Sequence, residues 1–252
     1  MRTTRHFSAS GQTADLVPDF NPPVLHIVNV RKNYQALRPL RVRTLTIGAA
    51  ERIAVSGFDA GAAEVLVNLV TGASVPDEGK VEVLGRSTAS IADGDEWLAS
   101  LDRFGIVSPR AVLLDSATLL QNLAMPYTLD IEPVPDDVAS RATVLAHEVG
   151  LAAEVLRQPI AQLTSEIRIR AHLARAVALN PRLLILEHPT AGLPESDRRK
   201  FGKDVARIAD ARSLATLIIS EDAEFSREAA HRMLALNGAT GELRRKRQFF
   251  GF

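Results

Sequence analysis

The chain has 252 residues, of which 46% are apolar, so it suits one large α/β domain or two small ones. Its 30 basic and 30 acidic residues balance, which gives no reason to expect a nucleic acid partner, and the lack of cysteine excludes disulfide bonds and thiol chemistry. No apolar run approaches the roughly 18 to 20 residues that span a bilayer. We expect no secretion signal, because the first residues contain no apolar segment.

The first part of the chain predicts a polar arm followed by short strands. Residues 1–23 are polar and rich in turn-forming residues, and we expect them to form a flexible arm. Helical spacing of apolar residues then predicts one helix at Ala62–Thr71. Alternating or continuous apolar runs predict strands at Val24–Val30, Arg41–Ile47, Arg52–Ser56, Gly79–Leu84 and Phe104–Val107.

The second part predicts a helical insertion and then an alternation of strands and helices. Residues from Pro109 to about Leu156 are predicted to be mostly helical, with loops at the prolines, within an insertion at about 109–178. The elements predicted after it are strands at Leu183–Glu187, Ala215–Ser220 and Met233–Leu236, with helices at Glu195–Ala211 and Ala223–Ala230. This alternation predicts a mainly parallel sheet flanked by helices.

Residues 163–193 carry the most informative motif of the chain, LTSEIRIRAHLARAVALNPRLLILEHPTAGL. The segment resembles the core of ABC ATPases, which usually reads LSGGQ, a basic helix, ARA, NP, an apolar strand, DEPT and AGLD. The framework residues match, whereas the DE pair is Glu187–His188 and the last aspartate is Pro194. The signature itself is replaced by Leu163, Thr164, Ser165, Glu166 and Ile167.

This resemblance spans roughly residues 24–243 and implies a fold. It implies an α/β, P-loop NTPase-like ABC nucleotide-binding domain with a mainly parallel core sheet, an antiparallel β part and a helical subdomain at about 109–178. Residues 244–252 then form a C-terminal tail with basic and aromatic residues. Such a tail suits an anionic membrane surface or an acidic partner, unless its phenylalanines fold back onto the domain.

The P-loop implied by the resemblance lacks most of its required residues. A P-loop needs glycine-rich backbone whose amides bind phosphate, followed by Lys and Ser or Thr at the start of a helix. Gly57 matches the first glycine, but Ala62 replaces the second glycine, Ala63 the lysine and Glu64 the Ser or Thr. Losing the lysine removes a contact worth about 1.5–3 kcal/mol, so we expect binding of ATP with magnesium to be weak or lost. Alternatively, Gly57 and Gly61 are ordinary turn glycines.

The other positions implied by the resemblance are altered as well. Tyr34 matches the aromatic residue that stacks on adenine, although a half-buried strand tyrosine explains it equally well. Pro109 stands for the Q-loop glutamine, Glu187 for the Walker B aspartate, His188 for the catalytic glutamate and Glu221 for the switch histidine. We assign no metal ligands and no intact catalytic group. A rearranged enzyme site, the disfavoured alternative, would use Glu187, His188, Glu221 and Asp222.

These replacements predict a catalytically degenerate cassette that serves as a structural or regulatory subunit of a membrane ABC transporter. The alternatives are a weakly active ABC ATPase that energises transport, including export of lipid or other cargo, and a soluble scaffold unrelated to transport. The resemblance implies a membrane-spanning partner, a homo- or heterodimer with another ABC cassette, and a cytoplasmic location at the inner face of the cell membrane. The resemblance places the contact with the membrane subunit within Ala111–Tyr127, where Leu113, Leu114, Leu119, Leu120 and Met125 are candidates, although core packing is the default expectation for most of them.

Overall fold

The computed structural model of the protein describes residues 22–246. The predicted arm up to residue 21 and the predicted tail from residue 247 lie outside the described residues. The elements are β1 (Leu25–Lys32), β2 (Leu40–Ile47), β3 (Arg52–Ser56), α1 (Ala60–Thr71), β4 (Glu78–Val83), β5 (Arg86–Ser87), α2 (Gly94–Ser100), β6 (Phe104–Val107), α3 (Leu119–Ala124), α4 (Asp136–Glu148), α5 (Ser165–Val177), β7 (Leu183–Glu187), α6 (Glu195–Ala211), β8 (Ala215–Ile219), α7 (Ala223–Ala229), β9 (Arg232–Asn237) and β10 (Glu242–Arg245).

The strands form two sheets of different character. The smaller sheet is antiparallel, in the order β2-β1-β4-β5, and β2 alternates buried and exposed residues as a half-buried strand should. The larger sheet has the order β10-β9-β3-β8-β7-β6, with parallel pairing from β9 to β6 and antiparallel pairing only between β10 and β9. The α/β class with a mainly parallel core sheet and an antiparallel part is therefore confirmed.

The central strands of the larger sheet are buried on both faces, which explains their continuous apolar sequences. In β7, Leu183 and Ile185 pack in the core that contains α1 and the antiparallel sheet. The alternate residues Leu184 and Leu186 pack on the other face, in the core that contains residues of α3, α4, α5, α6 and α7. The period-2 alternation of a strand thus separates two cores, one on each side of a single sheet.

The region after β6 is less helical than expected. Between residues 108 and 156 the structure has only α3 and α4 as α-helices, and residues 108–118 form an irregular segment. The buried side-chain amide of Asn122 holds this segment, because it both accepts from the backbone N–H of Leu114 and donates to the Leu114 carbonyl. A side chain that satisfies loop backbone in this way competes with helix formation.

The end of the domain also differs from the prediction. The expected tail of 244–252 begins inside β10, because Arg244 and Arg245 pair with Ala235 and Leu234 of β9. The basic residues follow Glu242 and Leu243 along an edge strand, where charged side chains are common and discourage pairing with other chains. The domain therefore extends at least to Arg245.

Candidate functional site

The turn between β3 and α1 forms one wall of the candidate site. Gly57 has a φ of 88°, and a Cβ atom there would lie 2.7 Å from the carbonyl oxygen of Leu236, so this position requires glycine. Asp59 begins α1 as its N-cap, and its carboxylate accepts from the backbone N–H of Ala62 at 2.8 Å. The turn thus has P-loop placement, but a side chain already occupies one of its backbone donors.

Glu221 occupies two more donors of the same turn. Its carboxylate accepts hydrogen bonds from the backbone N–H groups of Gly57 and Phe58, the latter at 3.3 Å. Backbone amides at a helix N-terminus following a strand are the usual site of phosphate binding. In this chain an internal carboxylate lies where an anion would otherwise bind.

Arg110 joins the two acidic residues at the centre of the site. Its Nη1 lies 2.6 Å from Oε1 of Glu64, and its Nη2 lies 2.7 Å from Oε2 of Glu187. The Glu187 side chain is only 4% exposed, so the guanidinium neutralises a carboxylate that is almost entirely buried. Partial burial by itself lowers the pKa of Arg110, but the ion pairs with Glu187 and Glu64 raise it above its ordinary value.

Sequence reasoning missed Arg110, because its partners are on distant elements. The available signal was its position directly after Pro109, which stands where the resemblance places the Q-loop glutamine. Pro109 itself is exposed, whereas the buried Ser108 accepts through its Oγ from the backbone N–H of Arg110 at 3.2 Å and from its Nε at 3.3 Å. Ser108 therefore orients the arginine toward Glu64 and Glu187.

His188 follows Glu187 in a strained backbone conformation. Its φ is 43°, and its backbone N–H donates to the carbonyl oxygen of Ile219 at 2.8 Å. Its Nε2 is buried and has no hydrogen-bond partner among the described residues. Because Arg110 holds the adjacent carboxylate, no side chain within residues 22–246 is placed to activate His188 as a base.

Tyr34 lies beside the turn, as the sequence led us to expect. A Cβ atom at Gly61 would lie 3.5 Å from Cε2 of Tyr34, which places the ring against the start of α1. The ring is half-buried, and burial followed by the negative charge of Asp59 raises the pKa of its hydroxyl. The structure therefore brings Tyr34, Gly61 and the acidic turn together.

The signature-equivalent residues lie elsewhere, at the start of α5. Thr164 caps this helix by accepting from the backbone N–H of Ile167 at 3.4 Å. Glu166 forms ion pairs with Arg170 and Lys200, each at 3.3 Å. No hydrogen bond or ion pair within residues 22–246 connects this segment to the turn after β3.

The apolar residues expected to contact a partner divide into two groups. Leu113 and Leu119 are buried in the helical core and Leu120 is partly buried against it, so core packing, the default expectation, holds for these three residues. Leu114 is exposed, and Met125 lines an open cleft of about 380 Å³. The cleft lies between the end of the core sheet and the helices and is lined by Leu101, Asp102, Phe104, Ile106, Ala111, Met125, Pro126, His172, Arg175, Ala176 and Leu179.

Comparison with known proteins decides the family. The sequence profile of the family described as ABC transporter matches residues 40–191. The chain belongs to the ABC transporter family. The ATP-binding protein LolD of a lipoprotein-releasing system, from Pseudomonas syringae pv. tomato, is 27% identical over 219 residues, which cover 85% of this chain and 95% of LolD. The methionine import ATP-binding protein MetN of Mesorhizobium japonicum is 28% identical over 240 residues, which cover 92% of this chain but only 64% of MetN.

Solved structures confirm the ABC cassette fold. The dimeric structure of MJ0796, a bacterial ABC transporter cassette, superimposes with a TM-score of 0.73 at 21% identity and covers 90% of this chain and 100% of that one. The structure of cbiO1 from Clostridium perfringens gives a TM-score of 0.74 at 17% identity and covers 88% of this chain and 87% of that one. In this ABC family chain, none of the helices within residues 22–246 is long and apolar enough to cross a membrane.

ATP with magnesium, the ligand associated with this family, does not fit the candidate site as this chain builds it. P-loop enzymes hold magnesium with the P-loop Ser or Thr and the Walker B aspartate, and those positions are Glu64 and Glu187. Both carboxylates are paired with Arg110, and Glu221 covers amides that would bind phosphate. A bound triphosphate would have to displace these interactions while facing the charges of Asp59, Glu64 and Glu221.

Proposed function

We propose that this chain is the ATP-binding-cassette subunit of a membrane ABC transporter, that it hydrolyses no ATP, and that it serves a structural or regulatory role. The observation that carries the proposal is the position of Arg110, whose guanidinium pairs with the residues at both metal-ligand positions. The loss of the P-loop lysine, the Q-loop glutamine and the catalytic glutamate supports it, because each contributes to positioning phosphate or water.

A membrane-spanning partner is part of the proposal. The cleft of about 380 Å³ offers a partly apolar surface, and Val112 and Leu179 near it are 71% and 45% exposed. Exposed apolar residues around a concave surface are typical of a protein interface. LolD and MetN are described as parts of a release system and an import system, so we propose a transporter subunit and assign neither cargo nor direction.

We further propose that the subunit pairs with another ABC cassette at the inner face of the membrane. The dimeric structure of MJ0796 supports pairing, because its fold is the fold of this chain. The signature-equivalent segment lies at the start of α5, and in the described part of the chain no hydrogen bond joins it to the turn after β3, which supports sites shared between two molecules. Glu166 would then face the partner's site as an acidic residue in place of glycine.

Two measurements test the proposed function. Steady-state ATP turnover of the purified protein is expected at background, and turnover abolished by His188→Ala would instead establish a rearranged ATPase. Recovery of a multi-span membrane protein with the full-length chain tests the transporter role. Leu179→Glu in the cleft should abolish this recovery, whereas Val144→Glu, an equally drastic change at an exposed position of α4, should not. Equal recovery with both variants would contradict the proposed contact surface.

A further inference from the structure

We propose that Arg110 is a built-in cation that takes the place of the metal ion and clamps the segment 108–118 to the core, so that the position of this segment does not depend on nucleotide. The inference rests on the proposed function, since it requires that ATP with magnesium does not normally occupy the site. It goes beyond that function because it assigns a conformational role to the residues that replaced the catalytic ones.

The charges at the centre of the site favour an internal cation. Glu64 and Glu187 stand at the two positions that hold magnesium in P-loop enzymes, and each bonds a different nitrogen of Arg110. The planar guanidinium can bind two carboxylates at once, whereas the ammonium group of a lysine is a single point charge. Without Arg110, the buried carboxylate of Glu187 would lack the partner that compensates its burial.

The clamp connects three elements that are distant in the sequence. Glu64 lies on α1, Glu187 ends β7, and Arg110 lies in the irregular segment that leaves β6 and leads to α3. Glu64 is itself exposed, so water can solvate its carboxylate and the packing of α1 does not require an ion pair there. Its pairing with Arg110 therefore depends on where the segment 108–118 lies.

The segment 108–118 is held at its other end as well. Asn122 is fully buried, and its side-chain amide donates to the carbonyls of Leu114 and Thr118 at 3.1 and 3.0 Å. In the middle, Arg175 donates to the carbonyl of Val112 at 2.7 Å. Arg110 thus provides the attachment at the end nearest the candidate site, whereas Asn122 and Arg175 attach the rest of the segment to α3 and α5.

Glu221 provides the internal anion that complements this cation. Its carboxylate accepts from the amides of Gly57 and Phe58. Arg110 therefore takes the place of the metal ion, and Glu221 takes the place of the phosphate. A segment that a ligand would otherwise order is in this chain ordered by side chains. We therefore expect its amides to be protected from exchange in the absence of any ligand.

Hydrogen–deuterium exchange of the full chain tests the clamp. Arg110→Gln should increase exchange within 108–118 by about tenfold or more, the factor expected from losing a charge-assisted hydrogen bond. Arg199→Gln, which breaks the 2.7 Å ion pair between Arg199 on α6 and Glu228 on α7, is the matched control and should leave the segment at the wild-type rate. Exchange within twofold of wild type in Arg110→Gln would overturn the clamp.

Further variants keep the test decisive if Arg110→Gln does not fold. Arg110→Lys and Glu64→Gln each retain part of the arrangement and should give intermediate exchange rates. In the double variant Arg110→Lys with Glu64→Gln, the effects should not add, because both changes weaken the same pair. Fully additive effects would overturn the direct coupling between these residues.

Addition of ATP with magnesium separates this inference from the proposed function. Wild-type exchange in 108–118 should be unchanged at millimolar nucleotide. Protection of the turn at 57–64 by nucleotide would contradict the premise of this inference that nucleotide does not occupy the site, and would leave the proposed function to the turnover measurement. The clamp itself is tested separately, by comparing hydrogen–deuterium exchange of Arg110→Gln with that of Arg199→Gln in the absence of ligand.

Discussion

The carboxylate of Glu221 accepts a hydrogen bond from the backbone N–H of Gly57, across 164 positions of sequence. Gly57 directly follows β3, the strand that leads into the turn, and Glu221 follows β8, the neighbouring strand of the same sheet. Adjacent parallel strands bring their carboxyl ends to one edge, where ligands of α/β proteins usually bind. In this chain the residues that follow these two strands, Gly57 and Glu221, bond to each other at that edge.

Replacing Glu221 should make the turn more receptive to anions. Glu221→Ala frees the amides of Gly57 and Phe58 and removes a negative charge, so the affinity for ATP with magnesium should rise by about tenfold or more. Isothermal titration calorimetry measures the affinity. Glu224→Ala, at an exposed acidic residue in the first turn of α7, is the control. The same affinity in both variants would show that Glu221 does not limit binding.

Gly57→Ala should destabilise the domain by about 1–3 kcal/mol. The positive φ disfavours any side chain, and the added Cβ atom would lie 2.7 Å from a backbone oxygen that cannot easily move. Gly192→Ala is the control, because a Cβ atom at that position meets no atom within 4 Å. Urea unfolding of both variants checks the difference, and similar midpoints would contradict the local strain.

Arg170 should matter for stability more than its neighbour Arg168 on the same helix. The Arg170 side chain is 5% exposed and binds Asp204 at 2.7 Å and the carbonyl of Val149 at 2.7 Å. We expect Arg170→Met to lower the free energy of unfolding by about 2–3 kcal/mol. The loss stays below that of a buried unpaired charge because the acidic partners of Arg170 are partly exposed. Arg168→Met breaks a single exposed pair with Asp115 and should cost under about 1 kcal/mol. A reversed order in urea unfolding would contradict this assignment.

His172 should make the stability depend on pH. Burial, and then the positive charges of Arg175 and Arg168, lower the pKa of its imidazole. The folded state therefore favours the neutral form, so this stability is present above the unfolded pKa of about 6.5 and is lost as pH falls through the lower folded pKa. His172→Gln should reduce the slope of the free energy of unfolding against pH between about pH 7.5 and pH 5. An unchanged slope would remove His172 as the cause.

Most strands and long helices could be predicted because their signals are local. The predicted bounds of β3, β6, β7 and α6 agree with the structure, since each is a continuous apolar run or an amphipathic segment between turn residues. The short elements α2 and β10 were missed. The helical prediction over 109–118 was wrong, because the bonds from Asn122 to Leu114 stabilise irregular backbone there and no local pattern encodes them.

The sequence by itself determined the family and the order of the altered motifs, because framework residues such as the NP turn and the apolar strand at 183–187 depend on local propensity and spacing. It also predicted which residues stand at each position of the candidate site. Only the tertiary structure decided what those residues do to one another. Arg110 meets Glu187 across 77 positions and Glu221 meets Gly57 across 164, and such distant pairs form only where the folded sheet brings its strand ends together.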